Sequence, residues 1–176
     1  MFIEIEDLKP EPLHVHHTYA VGDLPFEYQD AVIEEPVTTD FILAHKDRDL
    51  RVGGTVETSV RFGCSRCLKP SCRRVASSFD LAYLPQPKSV RAGEEIELRD
   101  ADMEIGFYDG IRFDVDTMVV EQITLALPMR FVCTDDCKGL CDICGADLNL
   151  GPCSCKREEG ESRFSVLKEF RKKIDQ

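Results

Sequence analysis

The sequence predicts an α+β fold: an antiparallel β-sheet with a packed helix and a cysteine-rich, zinc-binding C-terminal module. Three observations support this prediction. Apolar and polar residues alternate in the first half of the chain, a segment with helical spacing follows, and residues 137–155 contain five of the nine cysteines. With 176 residues, 43% of them hydrophobic, the chain is long enough for one sizeable core. We therefore assign residues 1–130 to a mainly antiparallel sheet domain with a helix near 116–127, and residues 131–176 to a cysteine-rich metal-binding module with a C-terminal helix.

The strand predictions depend on alternation with a period of two residues. In TVETSVRF, residues 55–62, one face is apolar or small and the other is polar, and the strand is expected to end at Gly63. Before it, FILAH and LRV are the predicted arms of a hairpin with KDRD as its turn, while Gly53 and Gly54 are expected to form a bulge or bend. The alternation of SSFDLAYLP ends at Pro85. Together these segments predict an antiparallel meander.

Two segments have the apolar spacing of helices. In DVDTMVVEQITLALP, Asp116 is the expected N-terminal cap and Pro128 the expected end. The apolar stripe of this segment consists of Val119, Val120, Ile123 and Leu127. A second stripe, in SRFSVLKEFRKKID, consists of Phe164, Leu167, Phe170 and Ile174 and predicts a C-terminal helix that docks on the core. Its basic residues complement the helix dipole, with an RNA-contacting tail as the alternative. The acidic stretch between Pro85 and Glu104 is expected to be a solvated surface loop.

The charge of the chain narrows the classes of partner. The formal net charge is −11 and the pI is about 4.8, so the surface lacks the excess of Lys and Arg on which strong nucleic-acid binding depends. This favours a basic protein partner, argues against a DNA-binding regulator, and leaves local RNA contacts open. The first residues have neither the basic start nor the apolar run of a signal peptide, and no stretch reaches the length of a membrane span. With an odd number of cysteines, these features predict a cytoplasmic protein that does not associate with membranes.

The spacing of the cysteines predicts metal binding. CDIC has the form of a zinc knuckle, in which two thiolates separated by two residues reach one tetrahedral ion, and Gly145 suits the tight turn that follows. CSRC, at the end of a predicted strand, is a second pair with this spacing. The segment ADLNLGP, which precedes the final cysteine pair, is typical of a turn.

The spacing allows two partitions of the sulfurs. The preferred partition has two zinc sites, one with Cys64, Cys67, Cys133 and Cys137 and the other with Cys141, Cys144, Cys153 and Cys155. The alternative joins the two knuckles, Cys64 and Cys67 with Cys141 and Cys144, and leaves the other sulfurs as a weak or empty site. In the preferred partition Cys72 is left over, and we expect it to pack as a small hydrophobe. His14, His16 and His17 lack further ligands nearby and are expected to be ordinary surface or core residues.

No catalytic constellation stands out in the sequence. Sites with sulfur ligands alone are typically closed and structural, whereas catalytic zinc usually has His or carboxylate ligands and an open position. We therefore expect a protein that is not an enzyme, with zinc, or iron in its place, as the bound metal. The alternative is a thiol-disulfide or redox-sensing protein that uses its CxxC pairs, although the clustering of the other cysteines favours a metal cage.

Three segments carry a resemblance to a known family. CSRCLKP, EQITLALP and DCKGLCDICGADLN, followed by CSC and a short C-terminal helix, resemble in this order the YceD family of large ribosomal RNA subunit accumulation proteins. The resemblance spans most of the chain, with little of it in residues 1–35. It implies a role in production of the large ribosomal subunit through accumulation of its precursor RNA. Together with the acidic charge, it leads us to expect a ribosomal protein or pre-ribosomal particle of the large subunit as partner.

Overall fold

The computed structural model describes residues 1–86 and 105–155, and within them it has the predicted α+β fold. A short 3-10 turn, Ile5–Asp7, follows the first strand. The strands are β1 Phe2–Glu4, β2 Leu13–Tyr19, β3 Val32–Ile33, β4 Val37–Lys46, β5 Asp49–Gly63, β6 Pro70–Pro85, β7 Ile105–Tyr108 and β8 Arg112–Asp114, and the helix is α1 Val115–Ala126. The predicted acidic loop and C-terminal helix lie outside the described residues, and the proposed division at residue 130 stays a prediction.

The main sheet has the strand order β2-β4-β5-β6-β7, with β3 paired to β5 beyond the end of β4. The pairs from β2 to β6 are antiparallel, as predicted. The consecutive strands β4, β5 and β6 form the predicted meander. The pair β6 and β7 is parallel, so the sheet as a whole is mixed. A parallel pair needs a long connection rather than a tight turn, and β6 and β7 are well separated in the sequence, since β6 ends at Pro85 and β7 begins at Ile105. A separate antiparallel ribbon joins β1 to β8.

The hairpin of β4 and β5 has its turn where the sequence predicts it, with Lys46 opposite Asp49. The predicted bulge is wrong, because Gly53 and Gly54 lie inside β5 in unbroken register with both neighbouring strands. Gly54 is opposite Phe41, and a β-carbon at Gly54 would overlap the carbonyl oxygen of Asp40 and the β-carbon of Phe41. The glycine therefore permits a close approach of two strands around a buried phenylalanine, and does not interrupt them.

The helix α1 packs against β5 and β6 through one apolar face. Of the predicted stripe, Val119, Ile123 and Leu127 are buried and Val120 is partly buried. The predicted cap is wrong by two residues: Asp114 Oδ1 accepts the N–H groups of Asp116 at 3.1 Å and of Thr117 at 3.3 Å. Asp116 instead accepts a hydrogen bond from the hydroxyl of Tyr19 at 2.7 Å, which ties the first helical turn to β2. None of the helices in the described part of the chain is long and apolar enough to cross a bilayer.

The long β5–β6 hairpin is what positions the cysteines. Its two strands pair from Leu50 opposite Tyr83 to Gly63 opposite Pro70, so the connecting turn, residues 64–69, projects from the end of the sheet. The segment after α1 returns to this end, where the ring of Phe131 stacks on Phe62 with centroids 4.5 Å apart. The core thus fixes both chain segments that carry the first four predicted ligands.

We predict that Gly54→Ala lowers the free energy of unfolding by about 1–3 kcal/mol, because the added methyl group overpacks the contact with β4. Gly53→Ala is the matched control, since its β-carbon would meet nothing closer than the carbonyl oxygen of Phe79 at 3.8 Å. Urea denaturation of both variants measures the difference. Equal stability of the two variants would contradict this account of the glycine pair.

Candidate metal centres

The structure brings together the first predicted set, Cys64, Cys67, Cys133 and Cys137. Their sulfur atoms all lie within 4.8 Å of one another. The sulfurs of Cys64 and Cys137 are 3.9 Å apart, and those of Cys67 and Cys133 are 3.7 Å apart. Cys64, Cys67 and Cys137 are buried and Cys133 is half-buried, so this set is largely closed to solvent.

Hydrogen bonds to backbone carbonyl oxygens hold the two halves of the first set against each other. Ser65 lies between two of the cysteines, and its N–H and hydroxyl groups donate to the carbonyl oxygen of Phe131 at 2.9 and 2.7 Å. The Arg66 guanidinium donates to the carbonyl oxygens of Asp135 at 3.0 Å and Cys137 at 2.7 Å. In return, the N–H of Leu140 donates to the carbonyl oxygen of Arg66 at 3.1 Å. The turn of the hairpin is therefore hydrogen-bonded to the segment after α1, in addition to any contact between their sulfurs.

The second predicted set, Cys141, Cys144, Cys153 and Cys155, also has its four sulfurs within 4.8 Å of one another. The sulfurs of Cys141 and Cys153 are 3.4 Å apart. Cys141 is buried, Cys144 is exposed, and the other two are half-buried, so this set is more open than the first. Each CxxC pair lies in a different set, and the geometry corresponds to the preferred partition rather than to the joined knuckles.

The two CxxC turns have the same backbone geometry. The N–H of Leu68 donates to the carbonyl of Cys64 at 2.8 Å, and the N–H of Gly145 donates to the carbonyl of Cys141 at 2.9 Å. Both residues have positive φ angles, 60° at Leu68 and 72° at Gly145. Glycine adopts this conformation without steric penalty, whereas leucine does not. The sequence indicated the special role of Gly145 but not that of Leu68, since leucine gives no signal of a left-handed turn.

Hydrogen bonds to sulfur favour the thiolate at one position of each set. Burial opposes the charged form of Cys64, but three backbone N–H groups outweigh burial and lower its pKa to about 6. These are the N–H groups of Cys67, Cys133 and Arg66. The pKa of Cys141 falls to about 7, mainly because the N–H groups of Cys144 and Ile143 donate to its sulfur. Such N–H groups aimed at sulfur are typical of the surroundings of metal-bound thiolates.

At Cys67 and Cys155 the pKa is instead raised. The N–H of Lys69 favours the thiolate of Cys67, but burial and the three neighbouring sulfurs outweigh it and raise the pKa of Cys67 to about 12. In the second set, hydrogen bonding to Cys144, burial and the charge on Cys144 raise the pKa of Cys155 to about 12. Closely spaced thiolates repel one another, and a divalent cation at their centre would remove that penalty. The donor set, four sulfurs in each group, fits a tetrahedral soft-ligand metal site.

Cys72 and the histidines lie outside both sets. Cys72 is exposed, and its thiol donates to a carboxylate oxygen of Glu34 at 2.6 Å, so it does not pack as the small hydrophobe that was predicted. This hydrogen bond and the negative charge of Glu34 raise the pKa of the Cys72 thiol. His14, His16 and His17 lie on β2, and none of them belongs to a group with metal-ligand spacing in the described ranges.

Comparison with known families gives a match that includes both cysteine sets. The sequence model described as large ribosomal RNA subunit accumulation protein YceD matches residues 52–171, more than half of the chain. The chain belongs to the YceD family. The matched region contains all eight cysteines of the two sets. No solved structure matches the chain significantly.

Relatives come from plants and bacteria. The chain is 26% identical over 163 residues to the chloroplastic large ribosomal RNA subunit accumulation protein YCED homolog 1 of Arabidopsis thaliana, covering 80% of this chain and 50% of that protein. The maize homolog 1 is 28% identical over 143 residues, covering 69% and 49%. An uncharacterized protein of Mycobacterium tuberculosis is 32% identical over 121 residues, covering 68% and 54%. The chain thus spans about half the length of these relatives.

In the two CxxC turns, substitutions at the residues with positive φ, Leu68 and Gly145, are predicted to have opposite effects on stability. We expect Leu68→Gly to raise the free energy of unfolding of the metal-loaded protein by about 0.5–1 kcal/mol. Glycine removes the steric strain of the left-handed conformation, and this gain exceeds the entropic cost of ordering a glycine. Leu68 is 72% exposed, so the change sacrifices little buried surface. Gly145→Ala should lower the same quantity by about 1–2 kcal/mol, since a methyl group there has room but the φ angle is unfavourable. Chemical denaturation measures both, and a destabilised Leu68→Gly would contradict the account.

Proposed function

We propose that this YceD-family protein is a non-enzymatic, zinc-stabilised factor in biogenesis of the large ribosomal subunit, where it supports accumulation of large-subunit rRNA by binding a basic ribosomal protein. The observation that carries the metal part of the proposal is the grouping of eight cysteines into two four-sulfur sets. The family match and the names of the plant relatives, which refer to accumulation of large ribosomal subunit RNA, support the ribosomal part.

Zinc is the metal that the donor sets favour. Four thiolates around one ion at tetrahedral spacing are characteristic of structural zinc, with iron as the other metal of such sites. In the first set the metal would join the turn of the β5–β6 hairpin to the segment after α1, which are far apart in sequence. Binding energy would then contribute directly to folding of this region.

The composition of the sets supports a structural rather than a catalytic role. Both consist of cysteines alone among the described residues, and three of the four side chains in the first set are buried. A closed all-sulfur site lacks the open position at which a catalytic metal binds water or substrate. The same grouping favours metal binding over thiol-disulfide exchange, because each CxxC pair has two further sulfurs within reach.

The charge of the chain supports a basic protein as the partner. The formal net charge is −11, and each site with one Zn²⁺ and four thiolates would make it more negative by two. Ribosomal proteins that bind rRNA carry the opposite charge, and complementary fields speed and orient association. An acidic factor that shields such a protein before assembly would support accumulation of the rRNA that the protein later binds.

A binding experiment with separated ribosomal components tests this proposal. The metal-loaded chain is immobilised and presented either with total large-subunit proteins freed of RNA or with large-subunit rRNA freed of protein. We expect one basic ribosomal protein, identified by mass spectrometry, to be retained in about equal amount to the chain and released by salt.

Cysteine variants provide the matched control. Cys64→Ser disrupts the first set and should abolish retention, whereas Cys72→Ser, outside both sets, should leave it unchanged. Retention of protein-free rRNA without any ribosomal protein would overturn the proposed partner.

A further inference from the structure

Asn149 belongs by sequence to the second metal set but contacts a sulfur of the first. It lies on the loop 145–152, which runs between Cys144 and Cys153. Its side-chain amide nitrogen, Nδ2, donates to the sulfur of Cys137 at 3.5 Å. A hydrogen bond to a metal-bound thiolate disperses the negative charge on sulfur and orients the ligand.

The partners of Asn149 fix the orientation of its amide group. Oδ1 accepts a hydrogen bond from the N–H of Lys138 at 2.8 Å, and a backbone N–H can only donate. Nδ2 also donates to Asp147 Oδ1 at 2.7 Å, and an ionised carboxylate can only accept. Exchanging the oxygen and nitrogen would break both contacts, so the amide must present its N–H groups to Cys137.

A second connection holds the same loop against the first set. Asp147 Oδ1 accepts the N–H of Asn149 at 2.9 Å, and Asp147 Oδ2 forms an ion pair with Lys69 Nζ at 2.6 Å. Lys69 lies two residues after Cys67. The side chain of Asp147 is only 10% exposed, so this pair is partly shielded from water. The pKa of the Asp147 carboxyl lies below its usual range because of Lys69 and the N–H of Asn149.

The position of this loop depends on the second set. Its ends are anchored by the two cysteine pairs that would bind the second metal. An antiparallel bridge between Leu140 and Asp147, and a hydrogen bond from the N–H of Leu148 to the carbonyl oxygen of Gly139 at 2.9 Å, also hold it. An ion that joins the two pairs would restrict the loop to a conformation in which Asn149 reaches Cys137.

We propose that Asn149 is a positioning residue that couples the two metal sites, so that metal in the second set raises the affinity of the first. The coupling rests on the metal binding proposed above. By linkage it is reciprocal, and metal in the first set raises the affinity of the second by the same factor. Partners of this kind typically change metal affinity about 10- to 100-fold.

Cadmium is a suitable probe because each sulfur-bound ¹¹³Cd ion gives its own NMR resonance, which reports the occupancy of the two sets separately. The full chain is titrated with ¹¹³Cd²⁺ in the presence of a competing chelator. The proteins compared are the wild type, Asn149→Ala, a second-set variant with Cys153→Ser and Cys155→Ser, and the combination of all three changes. Leu150→Ala is the matched control, since this neighbouring side chain is 82% exposed.

In the wild type and in Leu150→Ala we expect the two resonances to grow together. Asn149→Ala and the second-set variant should each lower the affinity of the first set about 10- to 100-fold, and Asn149→Ala should add little to the second-set variant. Two sites that fill independently in the wild type, or an Asn149→Ala protein that behaves like Leu150→Ala, would overturn the coupling alone. A wild type that binds cadmium at neither set would overturn the proposed metal sites themselves.

Discussion

The mutual repulsion of closely spaced thiolates is the physical constraint on which this end of the molecule depends. The first set gathers sulfurs from a hairpin turn and from a segment that follows the helix, and most of them are withdrawn from water. Raised pKa values at Cys67 and Cys155 show how strongly neighbouring sulfurs oppose further ionisation. A divalent cation at the centre of each set would convert this repulsion into attraction, which is the reason for proposing a metal there.

The sheet positions this region, because the turn of the β5–β6 hairpin and the segment after α1 meet at one end of the sheet. The hairpin of β5 and β6 is long and regular, and Gly54 lets it lie close to β4 around Phe41. Stacking of Phe131 on Phe62 then brings the segment after the helix to the turn. The first site is thus built on rigid elements, whereas the second is a local loop attached to the first by Asn149 and Asp147. This order of construction explains why the second set is the more exposed.

Much of the fold and of the candidate sites could be predicted from the sequence because the signals are periodic or chemically specific. Alternation indicated β4, β5 and β6. Cysteine spacing indicated both sets in the preferred partition. Features that depend on contacts between distant segments could not be predicted. The sequence predicted a bulge or bend at Gly53 and Gly54 because it does not show that Gly54 lies opposite Phe41. Asp147 and Asn149 were identified only as turn residues, since their bonds to Lys69 and Cys137 arise from tertiary structure.

X-ray absorption at the zinc edge, measured on the metal-loaded full chain, tests most directly whether two all-sulfur sites hold this region together. We predict about two zinc ions per chain, each with about four sulfur neighbours at ~2.3 Å and no nitrogen or oxygen ligand. Light-atom ligands at either ion would contradict closed four-sulfur sites. A chain that retains its fold without any metal, with thiols that oxidise readily to disulfides, would contradict the structural role and favour redox chemistry instead.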